Sequence, residues 1–396
     1  MKSWLRKFAL ACGTISLTGA NSFAQTRPAG KPAIALLDAG DAPQWQTWVK
    51  DLGWPVIAPP AAAQTAIDAR IHALEDAVQA AIQNGSADAA RIYLAGRGDA
   101  GAGVFYTVSR LPDVWAAAVA VGGSPQPAID GGGLYAANFS HVPVLWAGAG
   151  ADDRGIAESL QAAGVPLEFR PAEGLTAGAV VEWLAQHHRP PDPEAIDCET
   201  SSPEFARCYW IRMMKFDPGE RNDVLDSTRM QPRITSALDL GGFGFQKDDP
   251  GPGVLVSYLP PKYSGPLKMG DRIVALDGRD IPDARRYIEL MAQISEERPA
   301  AVMVQRGKEK IRIETRIVLP KPAPGVTARV QGRFLREEKE IQIISRTVTE
   351  MRVDIPPQWT PAILNWNGVP LENVEAAGCR LLTIAKAIEK AAPCPQ

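Results

Sequence analysis

The stretch that decides the fold reads Arg91-Ile-Tyr-Leu-Ala-Gly96-Arg97-Gly98-Asp99-Ala100-Gly101. Its first half is an apolar run with the length of a buried strand, and closely spaced glycines follow before a helical pattern begins. Glycine permits the backbone conformations that a short strand-to-helix turn requires. The stretch therefore predicts a strand, a tight turn at Gly98 and a helix.

The residues around this turn resemble the α/β-hydrolase family, in particular its esterases and polyester depolymerases. The resemblance runs from Asp88-Ala-Ala-Arg91, through the turn, to Asp113-Val-Trp-Ala-Ala-Ala-Val119. In that family the turn reads G-x-S-x-G and presents a nucleophilic serine above a parallel sheet. The serine position is occupied here by Gly98, which has no oxygen to attack a carbonyl carbon.

The other two catalytic positions that the resemblance implies are only partly occupied. The acid is expected after the strand at 142–147, where Asp152 and Asp153 follow. The expected Gly-His turn is replaced by Glu-Gly-Leu-Thr, so that Leu175 and Thr176 stand where a base would be. We interpret all four histidines as packed or solvated side chains: His72, His141, His187 and His188. The resemblance thus implies a degenerate triad, and we predict no catalytic residue.

Three other interpretations of this turn remain open. The run from Gly96 to Gly101 also matches the dinucleotide fingerprint G-x-G-x-x-G, but that fingerprint normally opens the first strand-helix-strand unit, so we predict no cofactor. An active hydrolase could use Asp99 together with Asp152 or Asp153, or could use Ser124. The start of the helix near Gly101 could also attract a small anion.

Strand and helix patterns alternate along residues 31–190. This alternation predicts six parallel strands with helices on both faces, which is a minimal α/β-hydrolase sheet. The proline-rich segment 188–193 ends the last helix, because proline lacks the N–H group that the helix needs. A domain boundary is therefore predicted there.

A second resemblance, to PDZ domains, covers residues 235–320. Gly241, Gly242, Phe243, Gly244 and Phe245 match the family's G-Φ-G-Φ loop, and residues 265–278 match its most specific stretch. The resemblance implies that backbone N–H groups of the loop bind a terminal carboxylate while the adjacent strand edge pairs with the peptide. A PDZ fold that acts only as a spacer is the alternative.

The helix of this second unit is predicted to begin at Asp283. Ala284 or Arg285 stands where the best-known class of PDZ domains has a histidine. We include Arg285 among the peptide-binding residues, and a ligand with a Ser/Thr motif is not implied.

Residues 321–396 form a β-rich module, in which the segments of alternating polarity predict strands. Asn367-Gly368 is a hairpin signal. Trp359 and Trp366 are interpreted as packing residues, and the pattern from Leu381 to Lys390 predicts a terminal helix.

The first residues have the pattern of an export signal. Basic residues precede an apolar stretch from Phe8 to Leu17, and Ser22-Phe-Ala24 is a small-x-small cleavage signal. We predict a signal peptide at 1–24, cleavage near Ala24 and a periplasmic or secreted protein. No later apolar run has the length of a membrane helix, so we predict no membrane span.

Four cysteines follow the predicted signal peptide. An even number in an exported protein favours disulfides, and the spacing favours two local pairs, Cys198 with Cys208 and Cys379 with Cys394. Zinc is the weaker alternative, because no C-x-x-C spacing is present, and we predict no metal site. The formal net charge is -3 and basic residues alternate with acids, so nucleic acid is not an expected partner.

These observations divide the chain into five segments. They are a signal peptide (1–24), a hydrolase-like domain (25–190), a connector with a cysteine pair (191–234), a PDZ domain (235–320) and a β-rich C-terminal module (321–396). The fold class is α/β. The predicted function is non-catalytic binding of peptides or protein C-termini in the cell envelope, and the alternative is a serine-independent hydrolase.

Overall fold

A computed structural model describes residues 30–59, 66–148, 151–220, 224–231, 236–246, 248–319, 325–385 and 388–395. The predicted signal peptide and its cleavage site lie outside the described residues.

The first six strands form one parallel sheet. They are β1 (Lys31–Leu36), β2 (Val56–Ile57), β3 (Ala87–Arg97), β4 (Ala117–Val121), β5 (Val144–Gly148) and β6 (Leu167–Pro171). Their order across the sheet is β2-β1-β3-β4-β5-β6. The helices that alternate with them are α1 (Ala42–Val49), α2 (Ile67–Gln83), α3 (Asp99–Arg110), α4 (Gln126–Asp130), α5 (Ala151–Ala162) and α6 (Ala177–Ala185). The predicted six-stranded parallel sheet is confirmed; we call residues 31–185 the parallel-sheet domain.

Both faces of this sheet are buried, because its strands carry apolar residues on both sides. Ile34 of β1 packs in one core with Trp45 of α1 and Val180 of α6. Its neighbour Ala35 points to the opposite face and belongs to a second core with Phe105 of α3. The helices therefore cover the sheet on both sides.

Three strands follow within the predicted connector, namely β7 (Ala195–Thr200), β8 (Arg207–Cys208) and β9 (Ile211–Phe216). A separate sheet with its own core comes next. Its elements are β10 (Ala237–Leu238), β11 (Gly244–Phe245), β12 (Val254–Tyr258), β13 (Arg272–Leu276), β14 (Arg279–Asp280), α7 (Ala284–Ala292), β15 (Arg298–Arg306) and β16 (Glu309–Val318). The strand order is β10-β16-β15-β13-β12-β11, with β14 beside β13. We call residues 237–318 the inserted module.

The last strands of the chain form two sheets together with the connector strands β7, β8 and β9. They are β17 (Ala328–Leu335), β18 (Glu340–Arg346), β19 (Val348–Ile355), β20 (Ala362–Trp366), β21 (Val369–Val374), β22 (Gly378–Ala385) and β23 (Ile388–Pro393). Two five-stranded sheets result, ordered β21-β20-β18-β17-β7 and β23-β22-β19-β9-β8, around one shared core. We call residues 195–216 and 328–393 the sandwich. The connector and the C-terminal module, predicted as separate segments, thus build the same two sheets.

The predicted helix from Leu381 to Lys390 is wrong, because residues 381–385 belong to β22 and residues 388–390 to β23. Residues 378–383 of β22 pair with β19, and this ladder outweighs a weak local preference for helix. The hairpin at Asn367-Gly368 is confirmed, since both residues have positive φ, 52° and 86°, between β20 and β21.

Polar contacts join the parallel-sheet domain to the sandwich. Arg207 of β8 forms an ion pair with Glu75 of α2 at 2.8 Å and a bidentate pair with the carboxylate of Asp113. Asn138 exchanges two hydrogen bonds with the backbone of Glu199 in β7, at 2.7 and 2.8 Å. These contacts fix the position of β7 and β8 against the parallel-sheet domain.

Candidate functional site

The tight turn predicted at Gly98 lies between β3 and α3, at the carboxyl edge of the parallel sheet. Gly98 has φ 53° and ψ −126°, a conformation that residues with a Cβ adopt at a cost. Its N–H group donates to the carbonyl oxygen of Val121 at 2.9 Å, which ties the turn to the end of β4. A Cβ placed on Gly98 would meet no heavy atom within 4 Å. The turn therefore has room for a side chain that this sequence does not supply.

The neighbouring glycines are explained by close packing of backbone on backbone. A Cβ on Gly101 would lie 2.4 Å from the carbonyl oxygen of Gly122, and one on Gly123 would lie 2.2 Å from that of Gly98. Side chains are excluded at both positions. The glycine spacing thus has a structural reason that requires no dinucleotide.

The histidines lie away from this edge of the sheet. His187 and His188 follow α6, where the His187 carbonyl accepts from the Tyr93 hydroxyl at 3.1 Å, beside the start of β3. His141 precedes β5, and its Nε2 lies 2.6 Å from the carbonyl oxygen of Ala195. These three histidines, all in the described part of the chain, therefore lie at the edge of the sheet formed by the amino ends of its strands. The turn at Gly98 lies at the opposite edge.

The fourth histidine, His72, lies within α2. Its ring stacks on Phe205, with centroids 4.7 Å apart. Phe205 also contacts the Arg110 guanidinium at the last turn of α3, at 5.4 Å, whereas Gly98 precedes the first turn of that helix. His72 is therefore a packing residue at the junction with the sandwich.

The positions predicted as remnants of the acid and base follow the expected strands. Asp152 and Asp153 lie in the first turn of α5, after β5. Thr176 is the N-cap of α6, and its Oγ1 accepts from the N–H of Ala179 at 3.2 Å. Leu175 packs against the core on that face. Neither Leu175 nor Thr176 carries a group that titrates near neutral pH.

A cavity of about 540 Å³ opens beside the turn, between α2, α3 and α4. Its charged lining consists of the carboxylates of Asp38 and Asp99 and the guanidinium of Arg70, Tyr106 adds a hydroxyl, and the remainder is mostly apolar. Helix α3 begins at Asp99, two residues before Gly101. Because a carboxylate already stands in its first turn, the lining does not favour the small anion that the sequence left open.

A half-buried carboxylate supports the turn from the side of β1. The Oδ2 atom of Asp41 accepts from the N–H of Arg97 at 2.8 Å. Burial raises the pKa of Asp41, although the hydrogen bond from Arg97 acts in the opposite direction. Asp41 thus holds the backbone before Gly98 in place.

The predicted carboxylate-binding loop lies at one edge of the inserted module. Gly241 and Gly242 have φ of 82° and 75°, in the left-handed region that favours glycine. The Tyr263 hydroxyl donates to the carbonyl oxygen of Leu240 at 2.5 Å and accepts from the N–H of Leu267 at 3.1 Å. Tyr263 therefore fixes the start of the loop, a role that no periodicity in the sequence indicates.

The loop leads into β11, which is an edge strand of its sheet. Phe243 and Phe245 lie with ring centroids 6.2 Å apart, and the Phe245 ring packs edge-on against Tyr287 of α7 at 5.5 Å. Burial raises the pKa of Tyr287. Arg285 is exposed in the first turn of α7. The structure thus brings the predicted loop next to α7 and adds Tyr287, which the sequence analysis did not identify.

Both predicted disulfides are confirmed. Cys198 and Cys208 are bonded with Cα atoms 5.9 Å apart, and Cys379 and Cys394 with Cα atoms 5.4 Å apart. Disulfides form and persist in oxidising compartments, so they indicate a location outside the reducing cytosol. None of the helices in the described ranges is both long and apolar enough to cross a membrane.

Comparison with known proteins gives partial structural likenesses only. No family model and no curated protein matches the chain. An HtrA-type protease with a decapeptide is 23% identical over 24% of this chain and 32% of that chain, with a TM-score of 0.19. A thermostable esterase is 16% identical over 31% of this chain and 37% of that chain, with a TM-score of 0.25. The esterase PE8 is 13% identical over 40% of this chain and 93% of that chain, with a TM-score of 0.29. The chain spans about a third of the length of the first two structures.

Proposed function

We propose that this is an exported, non-catalytic protein with a hydrolase-like domain, and that its inserted module binds the C-termini of peptides or proteins. The first part of this proposal, that the protein is non-catalytic, rests on the turn at Gly98. It has the position and space for a nucleophile but no side chain, and the four histidines lie elsewhere. Acyl transfer requires a nucleophile and a base within hydrogen-bonding reach of each other.

We expect the purified protein neither to hydrolyse short-chain nitrophenyl esters nor to react with a fluorophosphonate probe. The Gly98→Ser variant should remain inactive, because a serine without a base is a weak nucleophile at neutral pH. The positive φ should cost this variant about 1–3 kcal/mol of stability, so its folding is checked by thermal denaturation. Labelling is measured by mass spectrometry of the intact protein.

Asp99→Ala and Ser124→Ala test the alternative of an unconventional active site. Ser124 follows the close-packed Gly122-Gly123 segment, and its Oγ accepts from the N–H of Gln126 at 3.3 Å. Ester turnover by the wild type that either variant abolishes would establish a serine-independent or displaced site and would overturn the proposal.

Peptide binding by the inserted module is supported by three features at one edge. The loop at Gly241-Gly242 is held open by left-handed glycines, β11 has an unpaired side as an edge strand, and the rings of Phe245 and Tyr287 lie between that strand and α7. An extended peptide can add to such an edge by backbone hydrogen bonds while its terminal carboxylate meets the N–H groups of the loop.

We expect the full chain to bind free-acid peptides with micromolar dissociation constants and to lose this binding when the peptide is C-terminally amidated. Amidation removes the charge that the loop recognises, whereas the backbone of the peptide is unchanged. Fluorescence anisotropy with a labelled peptide library measures both forms. Equal binding of the two forms, or none, would identify the inserted module as a spacer.

Gly242→Asp and Gly242→Asn form a matched pair for this test. A Cβ on Gly242 meets no heavy atom within 4 Å, and Asp and Asn tolerate left-handed backbone similarly. Only the aspartate adds a negative charge beside the expected ligand carboxylate. Gly242→Asp should therefore weaken binding at least tenfold more than Gly242→Asn, and equal affinities of the two variants would contradict carboxylate recognition by this loop.

A further inference from the structure

A second cavity, of about 330 Å³, lies where the parallel-sheet domain meets the outer face of the sandwich. Ser140 and His141 form its wall on the side of the parallel-sheet domain, and strands β7, β17 and β18 form its floor. It is separate from both the turn at Gly98 and the edge strand β11. Its volume is at the lower end of the range seen for small-molecule sites.

The floor of this cavity consists of two rows of side chains set by the strand register. Arg333 of β17 lies opposite Ala195 of β7 and Gln342 of β18. Two residues earlier, Gln331 is paired with Asp197 on β7 and with Ile344 on β18. Residues two apart on a strand share one face of the sheet, so both rows point to the same side.

The carboxylate among the lining residues of this cavity, that of Asp197, is already paired with a guanidinium. Both Asp197 carboxylate oxygens accept from the Arg329 guanidinium, at 2.9 and 2.6 Å, and Oδ2 also accepts from Gln331 Nε2 at 2.8 Å. The Arg333 side chain, by contrast, forms no hydrogen bond or ion pair with any residue that the structure describes. Asp197 is thus paired with Arg329, and the charged group of this cavity that is left for a ligand is the positive guanidinium of Arg333.

Groups that can bind hydroxyls line the same cavity as Arg333. Gln342 and Ser140 each offer a donor and an acceptor, and the Oε1 atom of Gln331 is an acceptor. His141 Nε2 lies 2.6 Å from the Ala195 carbonyl oxygen, so Nε2 carries the proton and Nδ1 is an acceptor in the neutral ring.

We propose that this cavity binds a small organic carboxylate that also bears hydroxyl groups, such as a sugar acid. The guanidinium fork of Arg333 matches a carboxylate in a bidentate arrangement, and Gln331, Gln342 and Ser140 match hydroxyls. Ile344 supplies an apolar surface. This inference is independent of peptide binding by the inserted module, because none of its residues belongs to that module.

Isothermal titration calorimetry of the full chain with glucuronate, glucose and inorganic phosphate tests the inference. Glucuronate should bind, and glucose, which lacks the carboxylate, should bind at least tenfold more weakly. Arg333→Gln should weaken glucuronate binding at least tenfold. Failure of glucuronate to bind, equal binding of glucose, or tighter binding of phosphate would each overturn the assignment.

Arg212→Gln is the matched control. Arg212 is an exposed arginine on strand β9 of the other sheet of the sandwich and does not line the cavity. Its replacement removes the same charge and should leave glucuronate affinity unchanged. Equal losses in the two variants would show a general charge effect and would contradict a site at Arg333. Both arginines are exposed, so both variants should fold.

Discussion

Replacing Glu199 with alanine is expected to lower the free energy of unfolding by about 3–5 kcal/mol, because a buried carboxylate accepts hydrogen bonds from several segments of the chain. The side chain is 1% exposed. It accepts from the Ser227 hydroxyl at 2.5 Å, from the N–H and hydroxyl of Thr228 at 2.6 and 2.7 Å, and from the Thr327 hydroxyl. Alanine would leave these donors without their acceptor.

The position of this carboxylate explains why the effect should be large. Ser227 and Thr228 precede the inserted module and Thr327 follows it, while the backbone of Glu199 is bonded to Asn138 of the parallel-sheet domain. The Glu199 side chain therefore binds both segments that connect the inserted module to the sandwich, the one before it at Ser227-Thr228 and the one after it at Thr327. We call these two segments the chain crossings. Loss of Glu199 should also accelerate proteolysis at these crossings.

Urea denaturation followed by circular dichroism measures the stability change. Glu199→Gln keeps one acceptor oxygen and should cost less than alanine, and Glu337→Ala, at an exposed position in the β17–β18 turn, should change stability by less than about 0.5 kcal/mol. If Glu199→Ala unfolds at the same urea concentration as Glu337→Ala, the carboxylate does not tie these segments together.

Replacing Cys198 and Cys208 together with alanine is expected to cost roughly 4 kcal/mol. Chain entropy alone accounts for about 3 kcal/mol for a loop of this length, and the two buried sulfurs add a packing loss. Cys198 is 3% exposed and Cys208 0%, and both belong to the core of the sandwich. The bond joins β7 at the edge of one sheet to β8 at the edge of the other.

The double replacement of Cys379 and Cys394 is the matched comparison. Both are half-buried, and their bond lies beside β22 and β23, which already pair along their length. This variant should lose the entropic contribution without the packing loss, so the two variants should differ by at least about 1 kcal/mol. Guanidinium denaturation under oxidising conditions measures both, and equal costs would contradict a packing role for the first pair.

Local patterns in the sequence predicted the parallel sheet, the hairpin at Asn367-Gly368 and both disulfides. Each depends on residues that are close in the chain: apolar runs that suit buried strands, a turn that needs positive φ, and cysteines separated by short loops. The same applies to Gly98, since the glycine spacing that makes the turn possible is contained in a few residues. These features required no knowledge of distant neighbours.

The prediction for residues 381–390 was wrong because the partner that makes them strands, β19, is separated from them in sequence and contributes nothing to a local pattern. The sequence pattern did not predict the sandwich, for the same reason. Its strands β7 and β17 pair across the inserted module, at Cys198 and Val330, and a sheet register between such distant segments cannot be read from local periodicity.

By itself, the sequence determined the parallel sheet, the empty turn at Gly98, the glycine-rich loop at Gly241–Phe245 and the cysteine pairs, because short-range sterics and spacing set them. Tertiary structure alone decided which side chains surround these features. Tyr263 and Tyr287 reach the loop from elsewhere in the inserted module, the Glu199 carboxylate accepts from donors in two separate segments, and Arg333 is placed beside Gln342 by strand pairing. Such contacts depend on the register and packing of segments far apart in the chain, which no local pattern encodes.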